Sequence, residues 1–142
     1  MRTYESSIVI AAEAGAVWRV LSDVAHWPQW LPTVTNVTSL DATAMALGSR
    51  FVVHQPKLRP ATWKVTQLEA PRRFIWEARS PGLLMVAEHA VAPQASASSV
   101  VVLRFSFGGL LVGIIGRAFR SITERYLAQE AAALKNRVEK LG

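Results

Sequence analysis

The sequence has 142 residues, of which 51% are hydrophobic and 18% charged, and its net charge is +6. This composition fits one folded domain, residues 1–142, and excludes a disordered chain. The absence of cysteine excludes disulfides and cysteine nucleophiles. Basic residues are scattered without a run of four, which argues against a nucleic-acid interface. Because the N-terminus lacks a signal-peptide core and the apolar runs are too short to cross a bilayer, we expect a cytoplasmic protein.

The first 34 residues predict a strand, a short helix and a turn-rich segment. Residues 3–10 alternate as a strand does, and residues 14–21 carry apolar side chains at helical spacing. Pro28 and Pro32 then prevent a continuous helix over residues 23–34. This segment carries Trp27 and Trp30, which either close one end of the core or form the wall of a cavity.

From residue 34 onward the pattern is that of β-structure. Strands are predicted at residues 34–40, 49–55, 62–68, 73–79, 83–91 and 99–107. Their short connections predict hairpins, and therefore an antiparallel sheet.

Charged residues indicate which face of each strand meets water. Those expected to face outward are Arg50, Lys64, Glu77, Arg79, Glu88 and Arg104. Alternation then places a largely aromatic set on the inner face. That set is Phe51, Val53, Trp63, Val65, Gln67, Phe74, Trp76, Met85, Ala87, His89, Val91, Leu103, Phe105 and Phe107.

Residues 117–141 predict a long amphipathic helix that the curved sheet must cover. Its apolar face consists of Phe119, Ile122, Tyr126, Leu127, Ala131, Leu134, Val138 and Leu141, with Arg117, Glu124, Lys135 and Glu139 opposite. Thr123 and Glu130 interrupt the apolar face, and they either reach solvent at the sheet edge or line a cavity. The preceding glycine-rich stretch, residues 108–116, is interpreted as a packed start of the helix. The alternatives are a mobile apolar flap or a membrane-touching patch.

An inward His89 has two interpretations. It is either a core histidine hydrogen-bonded to a neighbour or a polar group of a ligand cavity, with Glu130, Thr123 and Gln67 as companions. His89 and Glu130 are the candidate acid/base groups if a reaction occurs there. The three histidines show no metal-ligand spacing, so neither a metal nor a cofactor is expected.

Three segments carry a family resemblance. Residues 17–34 read VWRVLSDVAHWPQWLPTV, residues 61–82 read ATWKVTQLEAPRRFIWEARSPG, and residues 126–139 read YLAQEAAALKNRVE. They resemble the START-like superfamily, also described as Bet v 1-like or SRPBCC, and more closely its bacterial polyketide cyclase/dehydrase-like branch. The resemblance implies an α+β helix-grip fold. In that fold a curved antiparallel sheet of about seven strands and a long C-terminal helix enclose an apolar cavity. Superfamily members include lipid carriers, quinone-binding proteins and aromatase/cyclases, so the contents of the cavity stay open.

The leading hypothesis is a protein without cofactors that binds a small hydrophobic ligand between sheet and helix. The expected ligand-binding residues are Trp27, Trp30, Phe51, Val53, Trp63, Gln67, Phe74, Trp76, Met85, Ala87, His89, Leu103, Phe105, Phe119, Ile122, Thr123, Tyr126 and Glu130. One alternative is a polyketide aromatase/cyclase or dehydratase. Others are a membrane-associated lipid or quinone carrier and a protein- or ribosome-binding module. We expect a monomer or weak homodimer, and the sequence disfavours membrane contact.

Overall fold

The computed structural model describes residues 2–41 and 44–142, without the side chains of residues 115–117. The elements in this part of the chain are β1 Arg2–Ile10, α1 Ala14–Leu21, a 3₁₀ helix Val24–Gln29, β2 Asn36–Ser39, β3 Arg50–His54, β4 Ala61–Glu69, β5 Arg73–Ser80, β6 Leu83–Ala95, β7 Ser98–Gly108 and α2 Val112–Leu141. Within the described residues, seven strands form one antiparallel sheet in the order β1-β7-β6-β5-β4-β3-β2. The sheet wraps around α2, so the predicted α+β helix-grip fold is confirmed.

The outer face of the sheet holds a ladder of ion pairs that crosses neighbouring strands. Arg104 on β7 lies opposite Glu5 on β1 and Glu88 on β6, and its side chain contacts both carboxylates. Arg73 on β5 continues the ladder to Glu88, with 3.7 Å between Nη1 and Oε2, and to Glu69 on β4. The hydrogen bond that Arg104 donates to Glu5 raises the pKa of the guanidinium. These charges fix the face that looks outward and leave the opposite face to apolar side chains.

One inward assignment is wrong, and a β-bulge is the reason. Trp63 and Val65 on β4 are buried as predicted, but the register with β5 shifts between Val65 and Gln67. An extra residue in one strand reverses the side chains that follow it. Gln67 is therefore exposed on the outer face, where its Oε1 accepts a hydrogen bond from Arg73.

Helix α2 begins at Val112, within the glycine-rich stretch that was interpreted as its start, after a sharp turn that follows β7. Gly109 has φ +106° and approaches the backbone of the β5–β6 turn so closely that a Cβ would lie 2.6 Å from the Gly82 carbonyl oxygen. The Leu111 amide donates a hydrogen bond to the same carbonyl. Residues 112–116 therefore do form the start of the helix, but Leu110, Leu111 and Ile114 are exposed instead of packed.

The C-terminal half of α2 is held to the edge strand by a polar clamp. Lys135 and Glu139, predicted to face solvent, are half-buried against β1. Lys135 donates hydrogen bonds to the Val9 carbonyl and to the Glu139 carboxylate, which also accepts one from the Ala11 amide. The hydrogen bond from Lys135 lowers the pKa of the Glu139 carboxyl most, and the hydrogen bond from the Ala11 amide lowers it further.

The buried stripe of α2 predicts a large difference between two leucines of the same helix. Leu134 is fully buried in the core, whereas Leu141 is exposed. Leu134→Ala should lower the free energy of unfolding by about 2–5 kcal/mol through lost burial and a residual cavity, and Leu141→Ala by less than about 0.5 kcal/mol. Urea unfolding of the two variants measures both values, and similar values would contradict this placement of the helix.

The clamp predicts a pH-dependent contribution of Glu139 to stability. A carboxyl whose pKa is lowered in the folded state stabilises that state above its unfolded pKa, near 4.5, and loses the effect as the pH falls through the folded pKa. Glu139→Gln should therefore be less stable than the native sequence near neutral pH, and the two should converge in acid. Glu124→Gln is the control, because that carboxylate pairs with Arg120 on the same helix. If the stability of both variants depends on pH in the same way, the contact between Glu139 and the Ala11 amide makes no contribution of its own.

Candidate functional site

A cavity of about 420 Å³ lies between the inner face of the sheet and the N-terminal half of α2. Most residues predicted for the site line it. They are Trp27, Val53, Trp63, Trp76, Met85, Ala87, His89, Phe105, Phe119, Ile122, Thr123, Tyr126 and Glu130. The sheet supplies the wall because alternate residues of β3 to β7 point inward, and α2 supplies the roof because Phe119, Ile122 and Tyr126 recur at helical spacing.

Trp76 is the centre of the aromatic wall. Its ring stacks on Trp63 with centroids 5.4 Å apart, and it meets the Trp27 ring edge-on at 5.3 Å. Trp27 is held by a hydrogen bond from its Nε1 to the Leu21 carbonyl, which ties the 3₁₀ segment to the end of α1. Such packing makes the wall apolar and rigid, since each indole is fixed by several neighbouring rings.

A histidine and a carboxylate meet in this otherwise apolar cavity. The side chains of His89 on β6 and Glu130 on α2 are 4% and 14% exposed, and 3.7 Å separates His89 Nε2 from Glu130 Oε1. This distance is too long for a direct hydrogen bond. Within the described residues, His89 Nδ1 has no hydrogen-bond partner. The imidazole is positioned instead by Phe74, whose ring stacks on it at 4.2 Å. In the described part of the chain, His89 is therefore buried with Nδ1 unpaired and with Nε2 facing the Glu130 carboxylate.

Further polar groups face the cavity on both sides of this pair. Thr123 lies two turns before Glu130 on α2 and is buried, and Tyr126 is half-buried between them. Thr33 also contributes to the lining, while Gln55 and Arg59 lie where β3 leads into β4. Burying polar atoms in an apolar cavity is unfavourable for folding unless a ligand or water forms hydrogen bonds with them. These side chains therefore favour an occupant with hydrogen-bonding groups.

Five predicted site residues lie elsewhere. Phe51, Phe74 and Leu103 are fully buried in the core, where α1 and the 3₁₀ segment cover the far end of the sheet. Gln67 is on the outer face for the reason given above. Trp30 follows Trp27 by one turn of a 3₁₀ helix, so both rings lie on one side of it, 6.1 Å apart. Trp27 occupies the inner position and leaves Trp30 half-buried in a shallow groove beside Arg137.

The cavity also includes residues that were not predicted as site residues. They are Leu31, Thr33, Val34, Gln55, Leu58, Arg59, Ala61, Leu83, Phe107 and Leu127. Phe107 and Leu127 already belonged to the predicted inner faces, and the alternation of β4 and β6 extends by one step to Ala61 and Leu83. Gln55 follows Phe51 and Val53 by alternation within the predicted strand 49–55, so the pattern placed it inward as well. The other lining residues lie in connections between elements, where no periodic pattern indicates the direction of a side chain.

Two general features of the described residues bear on the site. No group of three or more His, Asp or Glu side chains in this part of the chain is arranged to hold a metal ion. None of the helices found there combines the length and apolarity that crossing a membrane requires.

The fold and the enclosed cavity define a START-like, or Bet v 1-like, helix-grip protein. Residues 1–139 match the family described as polyketide cyclase/dehydrase and lipid transport, and the chain belongs to that family. The resemblance predicted from the sequence is thereby confirmed. No curated protein matches the sequence at a significant level.

Several solved structures share the fold at low sequence identity. The Zhui aromatase/cyclase from Streptomyces sp. R1128 has a TM-score of 0.80 at 20% identity, over 98% of this chain and 94% of that one. A START superfamily protein from Mycobacterium smegmatis has a TM-score of 0.78 at 16% identity, over 99% of both chains. Norcoclaurine synthase from Thalictrum flavum, in complex with dopamine and hydroxybenzaldehyde, has a TM-score of 0.77 at 17% identity, over 98% of this chain and 87% of that one. At these identities the similarity shows the fold alone.

Proposed function

We propose that the protein binds a small aromatic or polycyclic ligand in the cavity between the sheet and α2. The observation that carries this proposal is the cavity of about 420 Å³ with a wall of Trp27, Trp63, Trp76 and Phe105. Ligand pockets are typically about 300–1,000 Å³ and mostly apolar, with a few polar groups that set orientation. Flat aromatic rings suit this wall because they can stack on, or meet edge-on, indoles that are already fixed in place.

The polar groups indicate that the ligand also carries a hydroxyl or carbonyl oxygen. His89 Nε2 and Glu130 Oε1 are 3.7 Å apart, so a ligand hydroxyl beside the pair can accept a hydrogen bond from the imidazole and donate one to the carboxylate. A purely apolar ligand would displace water from these groups and leave them unpaired, which is unfavourable.

The comparisons support an aromatic ligand. The family description names polyketide cyclases and dehydrases together with lipid transport. Two proteins of the same fold are an aromatase/cyclase and a norcoclaurine synthase in complex with dopamine and hydroxybenzaldehyde. Polyketide-like and lipid-like ligands both fit an apolar cavity, and the aromatic wall favours the former.

Binding can be tested with 2-naphthol, a two-ring phenol, followed by two-dimensional NMR. We expect concentration-dependent shifts at the side-chain signals of Trp76, His89 and Tyr126. Ala87→Phe should abolish these shifts, because Ala87 lines the cavity and a phenyl ring would fill part of it. Ala92→Phe is the matched control, since it adds the same ring to an exposed position on the outer face of β6. If a panel of aromatic and lipid-like compounds shifts only surface signals, or if both variants bind equally, the proposal fails.

A second candidate function is acid/base catalysis by the pair of His89 and Glu130. The specific observation is that both groups reach one apolar cavity from opposite walls, on β6 and α2. Cyclisation and dehydration of a polyketide-like substrate require a base to remove a proton from the carbon beside a carbonyl. They also require an acid to protonate the oxygen that leaves as water. A substrate between the two side chains would meet both groups.

Catalysis can be tested through the exchange of carbon-bound protons of 2-tetralone for solvent deuterium. If the second candidate is correct, the protein should accelerate this exchange over buffer. His89→Gln and Glu130→Gln should each lower the acceleration by about 10²–10⁴-fold, the usual contribution of a positioned acid or base. Binding of 2-tetralone should persist in both variants. A native protein that binds 2-tetralone without accelerating exchange would argue against the enzyme and leave the binding proposal intact.

A further inference from the structure

Exposed aliphatic side chains lie in the β3–β4 connection, in the β7–α2 connection and in the first turn of α2. Leu110 and Ile114 are 92% and 78% exposed, and Leu58 and Leu111 are also exposed. We call these four residues the mouth patch. Large apolar side chains rarely cluster in water without a partner, so such a patch indicates a surface that docks against something.

The patch borders the cavity. Leu58 itself lines the cavity, in the β3–β4 connection. The Leu111 side chain covers Gly82, where a Cβ would lie 2.9 Å from Leu111 Cγ, and Leu83 next to it is another lining residue. The strand register brings the β3–β4, β5–β6 and β7–α2 connections to one end of the sheet. The mouth patch therefore lies at the end of the sheet that the cavity reaches through Leu58 and Leu83.

The charges around the patch are positive. Lys57 and Arg59 flank Leu58 and are exposed. The connections at residues 55–60, 81–82 and 109–111 contain no Asp or Glu, nor do residues 112–123 of α2. Glu124 is the first carboxylate along that helix, and it is paired with Arg120. Exposed aliphatic groups beside exposed cations complement an anionic bilayer, whose headgroups attract cations and whose acyl region accepts apolar side chains.

We propose that the mouth patch docks the protein onto the surface of an anionic membrane, with the cavity opening toward the lipid. The protein lies on the bilayer and does not span it. This inference reverses the expectation from the sequence, which treated residues 108–116 as packed. It stands independently of the proposed function, because docking requires the patch and its cations but no particular ligand.

Sedimentation with lipid vesicles tests the proposal. At low salt the protein should sediment with vesicles that contain phosphatidylglycerol, and much less with vesicles of phosphatidylcholine alone. High salt should weaken the binding because it screens the cations. The double variant Leu110→Asp/Ile114→Asp should lower the partition coefficient about tenfold or more, because it removes apolar contact and adds negative charge. Lys57→Gln and Arg59→Gln should each lower it about fivefold.

Leu47→Asp is the matched control, since Leu47 is 68% exposed in the β2–β3 connection at the opposite end of the sheet. It should bind vesicles as the native protein does. Absence of sedimentation at low salt, equal binding to both kinds of vesicle, or an equal loss in Leu47→Asp would each overturn the proposal. So would a change of oligomeric mass in Leu110→Asp/Ile114→Asp with unchanged vesicle binding, because the patch would then be a contact between protein chains.

Discussion

The structure depends on how a long helix is covered by a shorter apolar surface. Helix α2 has 30 residues, which corresponds to about 45 Å at 1.5 Å per residue. Its C-terminal half packs directly against the sheet and α1, so Leu134 and Val138 are buried. Its N-terminal half stands away from the sheet, and Phe119 and Ile122 are only half-buried there. One amphipathic helix therefore produces a dry core at one end and a cavity at the other.

Charged side chains lie on the outer face of the sheet and aromatic side chains on the inner face. The cavity is therefore mostly apolar. On the outer face Arg104 pairs with both Glu5 and Glu88, and water screens these charges. On the inner face, within the described residues, Glu130 and Arg59 are the acidic and basic side chains that line the cavity. An isolated carboxylate in apolar surroundings is unfavourable for folding, since its charge loses hydration without a compensating partner. Glu130 makes physical sense as a group that meets a ligand, water or the neighbouring imidazole.

The sequence was sufficient for the fold because hydrophobic periodicity and charge placement agree in most elements. Trp63, Trp76 and His89 lie inward as alternation predicted. Gln67 does not, because a bulge between Val65 and Gln67 reverses the alternation that follows. Its trace in the sequence is slight, a polar Gln67 followed by an apolar Leu68. The sequence also did not show which inward residues line the cavity and which are buried in the core. Phe74 and Trp76 lie two residues apart on one face of β5, yet the first is covered by Trp18 and His89 while the second lines the cavity. That difference depends on the curvature of the sheet and on the position at which α1 packs against it. Both are tertiary properties that local sequence patterns do not encode.

The proposed ligand and the proposed docking surface constrain each other. His89 lies six residues along β6 from Leu83, so roughly 20 Å of strand separates the polar pair from the mouth. An amphipathic molecule in a bilayer presents its polar end at the interface. It would therefore pass through the mouth with that end leading, and reach His89 and Glu130 with its apolar part still against the aromatic wall. The mouth is lined by Leu58, Leu83 and Phe107, with Gln55 and Arg59 in the β3–β4 connection beside them. A second polar group on the ligand would therefore have to lie next to Gln55 or Arg59. The depth of the polar pair thus selects the orientation of the ligand as well as its chemistry.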